Sequence, residues 1–175
     1  FASGCFWCVE AIFESVKGVE EAVSGYSGGK EKNPTYRQVS AGLTGHAEAV
    51  KVYYDPDIVS YHTLVKVYYG SHNPTTVNGQ APDFGKQYRS MIYYQDDKEE
   101  AIAKNYKDSL EQSGTYSEPI ATEIVMFDTF YKAEEYHQNY EKLNPDQPYV
   151  KSVSIPRLNK FKSKFPELLK KENPH

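Results

Sequence analysis

The stretch Gly4-Cys5-Phe6-Trp7-Cys8 contains both cysteines and the only tryptophan of this 175-residue chain. Apolar residues then recur at helical spacing as far as Val16, and Gly18 is a helix stop signal. This pattern predicts that a strand turns into a helix at Cys5. The partial positive charge of a helix N-terminus lowers the pKa of a thiol placed there. The sequence therefore predicts a nucleophilic cysteine beside an aromatic pocket.

Length and charge narrow the class of protein. A chain of 175 residues suits one domain, here residues 1–175, with a core of its own. The net charge of -4 disfavours a nucleic-acid binder, and no run approaches the roughly 20 apolar residues that span a bilayer. No second Cys-x-x-Cys or His pair completes a zinc site. The chain begins at Phe1, which constrains the compartment only weakly, and we expect a cytoplasmic monomer.

Helical and strand patterns alternate along the chain in a mixed order. The predicted helices are 5–17, one that begins after Ser60 as its cap, 96–112, 133–143 and a basic amphipathic tail over 158–171. The predicted strands are 19–25, 45–53, 91–94 and 123–127, and residues 73–89 and 146–156 are expected to form loops. This order favours a two-layer α+β sandwich over a regular doubly wound sheet.

The two cysteines allow more than one interpretation. A lone cysteine is usually a buried, inert residue. The predicted position of Cys5 at the start of a helix makes a reactive cysteine about as well supported as an inert one. Cys8 follows at the spacing of dithiol oxidoreductases, so that its thiol could attack an oxidised Cys5. A small apolar residue packed under the first helical turn is the slightly favoured interpretation of Cys8.

Several polar side chains are candidate partners for the thiol. Glu48 lies among glycine and small residues, and a carboxyl near aromatic groups has a raised pKa and donates a proton near neutrality. An exposed strand glutamate is the alternative, and His46 is expected to be structural. The further candidates are Asp83 and Tyr88 at the end of the long loop, and the hydroxyl donors Tyr36 and Tyr140.

Taken in order along residues 1–145, the motifs resemble those of the peptide methionine sulfoxide reductase A family, whose members reduce the S epimer of methionine sulfoxide. The matching motifs are Gly4-Cys5-Phe6-Trp7, Ser24-Gly25-Tyr26-Ser27-Gly28-Gly29, Asn33-Pro34-Thr35-Tyr36, Thr44-Gly45-His46-Ala47-Glu48-Ala49-Val50, Tyr54-Asp55-Pro56, Gly85-Lys86-Gln87-Tyr88-Arg89-Ser90 and Ala133-Glu134-Glu135-Tyr136-His137-Gln138. The resemblance implies a two-layer sandwich with a ferredoxin-like core and a mixed sheet, followed here by a C-terminal loop and helical tail over 146–175.

The resemblance also implies a role for each candidate. Cys5 would attack the sulfoxide sulfur and become a sulfenic acid as methionine leaves. Glu48 would give a proton to the sulfoxide oxygen, and Phe6 and Trp7 would hold the ε-methyl group. The other implied site residues are Tyr36 and Tyr88, which would hydrogen-bond the oxygen, and Asp83 and Tyr140. The resemblance implies that no cofactor is needed. The implied substrate is methionine sulfoxide, free or in oxidised proteins, and the implied reductant is an external thiol such as thioredoxin.

The C-terminal part departs from the family pattern. Many members carry a recycling cysteine shortly after an Asn-Pro, but no cysteine follows Asn144-Pro145 in this chain. Either Cys8 forms a disulfide with Cys5, or an external thiol attacks the sulfenic acid directly. We expect direct attack, because a helical turn restricts the geometry of a disulfide.

Two other classes of protein fit parts of the pattern. A thioredoxin-like dithiol-disulfide oxidoreductase would use Cys5 and Cys8 but leave Glu48 without a role. A non-catalytic binder would recognise methionine or its sulfoxide through Phe6 and Trp7. The combination of a nucleophile with an acid favours the reductase over both.

Overall fold

The computed structural model describes residues 1–171 as helices packed on a mixed sheet. The strands are β1 Ala2–Ser3, β2 Val19–Ser27, β3 Ala47–Tyr54, β4 Gly79–Gln80, β5 Asp83–Phe84, β6 Ser90–Tyr94, β7 Glu123–Met126 and β8 Phe130–Lys132. The α-helices are α1 Phe6–Glu14, α2 Tyr36–Ser40, α3 Tyr61–Gly70, α4 Asp97–Gln112, α5 Tyr140–Leu143 and α6 Ile155–Lys164. Shorter helical turns are the 3-10 turns Lys86–Tyr88, Glu135–His137 and Pro166–Leu168 and the π-helical turn Val150–Ser154.

The strands form two three-stranded sheets, ordered β1-β6-β7 and β3-β2-β8, and β4 and β5 pair with each other as a separate hairpin. The two sheets meet where Phe1 and Val50 exchange backbone hydrogen bonds of 3.0 and 2.8 Å. β6 and β7 run parallel, and the other paired strands are antiparallel. The predicted fold class, a two-layer α+β sandwich with a mixed sheet, is confirmed.

The alternation of side chains along β3 decides which residues face the helices. Ala47 and Ala49 belong to a small apolar cluster, whereas Val50 belongs to the main core formed with the helices. Because side chains alternate between the faces of a strand, Glu48 lies on the same face as Val50. The fold therefore buries a carboxyl group in the layer between the sheet and the helices.

Local signals explain where the well-predicted elements begin. The Ser60 hydroxyl accepts a hydrogen bond of 3.1 Å from the Thr63 amide and caps α3, as the sequence predicts. β1 ends at Gly4, whose φ of +91° suits glycine, and Cys5 is the N-cap residue of α1. The predicted change from strand to helix at Cys5 is therefore confirmed.

The continuous helix predicted over 133–143 is broken into two short pieces. β8 ends just before it, a 3-10 turn covers Glu135–His137 and α5 covers Tyr140–Leu143. Asn139 between the two pieces has a φ of +55°. The Gln138 side chain bonds the backbone amide and carbonyl of Ser24 on β2, so a contact with a distant strand accompanies the break.

Two predicted loops are also more ordered than expected. The long loop over 73–89 contains the β4–β5 hairpin and a 3-10 turn. The loop expected up to Pro156 is already helical from Val150. The tail helix predicted over 158–171 ends at Lys164, and the part of the predicted tail over 172–175 lies outside the described residues. Within 1–171, the helices are all too short or too polar to cross a membrane.

The side chain of Phe161 fastens α6 to the core. It is 1% exposed and stacks near Phe165, whose ring lies 2.5 Å from the position that a Cβ on Gly70 would occupy. We expect Phe161→Ala to lower the free energy of unfolding by about 3–5 kcal/mol, because the substitution leaves a cavity under the helix. Urea unfolding measures this loss, and the exposed Lys160→Ala on the same helix is the control. Equal effects of the two substitutions would contradict this account of the tail.

Candidate active site

The Cys5 thiol lies at the start of α1 and is 7% exposed. Burial raises its pKa well above the ordinary value, and the neighbouring Cys8 and Glu48 raise it further. The Trp7 amide at the helix N-terminus acts in the opposite direction but does not compensate for burial. The prediction of a lowered pKa for Cys5 is therefore wrong for the free protein, in which this thiol keeps its proton.

The Cys8 thiol lies in the first turn of α1, next to Cys5. The neighbouring Cys5 thiol, with help from Arg157, Ser154 and Tyr149, lowers the pKa of Cys8 to about 6 although burial opposes it. Cys8 is therefore the thiol of this pair that ionises more readily. The sequence slightly favours a packed apolar residue at this position, and the fold also brings the Tyr149 hydroxyl to the sulfur.

The Glu48 carboxyl projects from β3 to the start of α1. It is 2% exposed, and its Oε1 accepts a hydrogen bond of 3.1 Å from the Phe6 amide. Burial raises its pKa to about 8, so the carboxyl is largely protonated at neutral pH. Glu48 is therefore a buried carboxyl with a raised pKa held beside Cys5, and not an exposed strand residue.

Two phenols and a second carboxyl complete the polar side of the site. Burial raises the pKa of Tyr36 and of Tyr88, and the charge of Glu48 is the next largest cause for both. Both hydroxyls consequently stay protonated and can donate hydrogen bonds. Asp83 accepts a hydrogen bond from the Tyr149 hydroxyl, and burial raises the pKa of this carboxyl too.

Aromatic rings form the apolar side of the site. Phe6 is buried, and Trp7 is half-buried with its indole stacked on Tyr140 at a centroid distance of 3.8 Å. The Trp7 Nε1 donates a hydrogen bond of 3.0 Å to Nδ1 of His137. The indole is therefore held by a stacking partner and a hydrogen bond, and it can present a fixed apolar surface to a ligand.

Sequence reasoning assigned no role to His137 or Glu134, although both lie in a quoted motif. His137 is fully buried among aromatic rings, its Nε2 has no hydrogen-bond partner among residues 1–171, and burial lowers its pKa. Glu134 accepts hydrogen bonds of 3.0 Å from the Tyr26 hydroxyl and from the Tyr36 amide. The polar residues of that motif were the sequence signal that could have identified both side chains as groups that hold their neighbours in position.

Tyr149 was missed as well. Its hydroxyl lies 3.8 Å from Sγ of Cys8, and its ring meets Trp7 edge-on. Only its place after Asn144-Pro145, where the family pattern puts a recycling cysteine, pointed to this segment. His46, by contrast, is structural as expected, since its ring nitrogens bind the Gly29 amide and the Glu31 carbonyl at 3.0 and 2.7 Å.

The site thus gathers residues from distant parts of the chain around the start of α1. They are Cys5, Phe6, Trp7 and Cys8 from the first turn, Tyr36, Glu48, Asp83 and Tyr88 from the sheet side, and Tyr140 and Tyr149 from the C-terminal side. Over residues 1–171, His, Cys, Asp and Glu nowhere form a group of three that could hold a metal ion. A thiol, a neutral carboxylic acid and phenols beside aromatic rings can reduce a polar S=O group that carries a small apolar substituent.

Known proteins with similar sequences and structures fit this chemistry. The family model described as peptide methionine sulfoxide reductase matches residues 1–169. The chain is 48% identical to a peptide methionine sulfoxide reductase of Pasteurella multocida, with 97% of each chain covered. It is 48% identical to one of Natronomonas pharaonis, covering 94% of this chain and 92% of the relative. Reduced Mxr1 of Saccharomyces cerevisiae superposes with a TM-score of 0.78 at 33% identity, covering 83% of this chain and 84% of that one.

Proposed function

The chain belongs to the peptide methionine sulfoxide reductase A family, and on that premise we propose how its residues perform the reaction. The enzyme is an oxidoreductase that reduces the S epimer of methionine sulfoxide and so repairs oxidised proteins. The observation that carries the proposal is the hydrogen bond from the Phe6 amide to Glu48, which anchors a neutral acid one residue from the Cys5 thiol.

Substrate binding uses the two sides of the site. The ε-methyl group lies against Phe6 and Trp7, which offer a dry aromatic surface. The sulfoxide oxygen then points to Glu48 and to the hydroxyls of Tyr36 and Tyr88. This orientation distinguishes the epimers, because exchanging the methyl group and the oxygen would bring the apolar group against the acid and the oxygen against the indole.

Reduction proceeds with the protons and electrons balanced. Glu48 donates its proton to the sulfoxide oxygen, Cys5 Sγ attacks the sulfur, and the Cys5 proton passes to the Glu48 carboxylate. The hydroxyl then transfers to Cys5 as the substrate S–O bond and the S–S bond formed in the attack both break, which yields methionine and a Cys5 sulfenic acid. The substrate sulfur is reduced by two electrons and Cys5 is oxidised by two.

Regeneration starts within the protein. The proximity of the two thiols and the lowered pKa of Cys8 support Cys8 as the group that attacks the Cys5 sulfenic acid, whereas the sequence favoured an external thiol. The disulfide forms as the Cys5 S–O bond breaks and water leaves. Thioredoxin or another external thiol then reduces the disulfide. The family is thiol-dependent, and the identity of the reductant is part of the proposal.

We also propose that residues 1–175 act as a single catalytic domain and as a monomer. The main core supports one unit, since it joins residues of α1 with Phe161 of α6. A thioredoxin-like oxidoreductase is not favoured, because it leaves the buried acid Glu48 without a task.

The separated S and R epimers of a blocked methionine sulfoxide test this function. With dithiothreitol as reductant, we expect methionine to be released from the S epimer only. Turnover of the R epimer alone would contradict the proposal. Binding without release would indicate a non-catalytic binder, and insulin disulfide reduction without sulfoxide turnover would indicate the thioredoxin-like alternative.

A further inference from the structure

The segment from Tyr149 to Arg157 lies against the Cys8 side of the site. Tyr149 begins it, and its hydroxyl lies 3.8 Å from Sγ of Cys8 while it donates a hydrogen bond to Asp83. The phenol thus bridges the Cys8 sulfur and the Asp83 carboxyl group. Asp83 is half-buried, and its hydrogen bond fixes the position of the phenol beside Cys8.

Ser154 lies in the middle of the same segment and is fully buried. Its hydroxyl donates a hydrogen bond to Glu141, and its proximity to Cys8 lowers the pKa of that thiol. A hydroxyl dipole beside a buried sulfur favours the thiolate, because it offsets part of the hydration that burial removes.

Arg157 brings the positive charge. Its Nε donates a hydrogen bond of 2.9 Å to the Ser71 carbonyl, and its Nη2 donates one of 3.3 Å to the Ser3 hydroxyl. A Cβ on Gly4 would lie 3.5 Å from Nη1, so the guanidinium rests against the turn that precedes Cys5. None of the ion pairs formed within residues 1–171 includes Arg157. Its charge is therefore available to a thiolate.

We propose that Tyr149, Ser154 and Arg157 form a cradle that positions the Cys8 thiolate to attack the oxidised Cys5. The three residues are positioning residues that act through Cys8. This inference rests on the proposed function, in which Cys8 resolves the Cys5 sulfenic acid. It explains how the chain recycles Cys5 with a C-terminal segment that contains no cysteine of its own.

The resolving step balances without an outside oxidant. The Cys8 thiolate attacks Cys5 Sγ. The S–S bond forms, the Cys5 S–O bond breaks, and the departing hydroxide takes up the proton held by Glu48 and leaves as water. The neighbouring Cys5 is the largest cause of the lowered pKa of Cys8, about 6, and Arg157, Ser154 and Tyr149 lower it further against the effect of burial. The other titratable groups that influence this sulfur are Cys5, Glu48, Asp83 and Tyr149.

Single-turnover experiments on the full chain test the cradle. Reduced enzyme is mixed with one equivalent of the S epimer, and methionine release, dimedone-trapped sulfenic acid and loss of free thiols are followed separately. The variants are Tyr149→Phe and Arg157→Met, with Arg157→Lys as the conservative substitution that keeps the charge. The matched controls are Tyr116→Phe and the exposed Lys160→Met.

We expect Arg157→Met to release methionine at the wild-type rate, and both Tyr149→Phe and Arg157→Met to form the disulfide about tenfold more slowly than wild type at pH 7. The slower rate follows from a smaller fraction of Cys8 in the thiolate form at pH 7. The higher nucleophilicity of a more basic thiolate offsets part of this loss. Dimedone adducts should accumulate on Cys5, the thiolate absorbance near 240 nm should titrate at higher pH, and raising the pH should restore the rate. Arg157→Lys should stay within about threefold of wild type.

Unchanged disulfide formation in both Tyr149→Phe and Arg157→Met would overturn the cradle. If Arg157→Met does not fold, Tyr149→Phe and its titration decide the question. Wild-type enzyme that releases methionine while Cys8 stays a free thiol would overturn this inference alone. Wild-type enzyme that releases no methionine would instead overturn the proposed function.

Discussion

Cys5→Ser is expected to reduce methionine release from the S epimer by about 1,000-fold or more, to the background rate. A serine hydroxyl at this buried position keeps its proton, and its oxygen cannot accept the sulfoxide oxygen as a sulfenic acid. The neighbouring Cys8 thiolate does not replace it, because Glu48 is anchored at Phe6 and faces the first position of the turn. A single-turnover assay with one equivalent of substrate measures the loss.

Cys8→Ser is the matched control for that substitution. It removes the second thiol from the same helical turn and leaves Glu48, Phe6 and Trp7 in place. We expect a full first turnover from it, followed by slow regeneration with thioredoxin. Wild-type methionine release from Cys5→Ser would remove Cys5 from the nucleophilic role.

Glu48→Gln is expected to slow methionine release by about 100- to 10,000-fold, the range associated with the loss of a general acid. Glutamine keeps the shape and the acceptor for the Phe6 amide but has no acidic proton for the sulfoxide oxygen. Because the pKa of Glu48 is about 8, wild-type release should fall above that pH as the carboxyl ionises. The variant should lack this decline. A rate profile of the first turnover from pH 6 to 10 measures both effects.

The stability of Glu48→Gln gives an independent test. A carboxyl with a raised pKa keeps its proton in the folded state while the unfolded chain releases it, so wild-type stability declines as the pH rises from about 4.5 to about 8. Glutamine does not ionise. The variant should therefore gain stability over wild type across that window, in urea unfolding at pH 5 and at pH 8.5. The control is Glu20→Gln on the exposed part of β2, and an identical response of the two variants would argue against a buried, protonated Glu48.

Local sequence predicts the elements that local interactions determine. A strand-to-helix change at Cys5 follows from the apolar spacing after it, and the alternation along β3 places Glu48 on the helical face. The continuous helix expected over 133–143 is broken at Asn139, next to Gln138, whose side chain bonds the backbone of Ser24 more than 100 residues away in sequence. No local pattern reports such a contact.

The site shows the same division between local and distant effects. The identities of the nucleophile, the acid and the aromatic pair were indicated by short motifs, each of which can be read from local sequence. The pKa values of the two thiols were not, because burial of Cys5 and the positions of Tyr149 and Arg157 around Cys8 depend on the folded chain. A helix N-terminus alone predicted an acidic Cys5, whereas the fold makes Cys8 the more acidic thiol.

That difference between the thiols makes the position of the transferred oxygen the most direct test of the mechanism. The measurement is peptide mass spectrometry of Cys8→Ser after one turnover with the S epimer in the presence of dimedone. We predict one methionine released per chain and one dimedone adduct on Cys5. Release of methionine without an adduct on Cys5, or an adduct on Cys8 when Cys5→Ser is treated in the same way, would contradict the account.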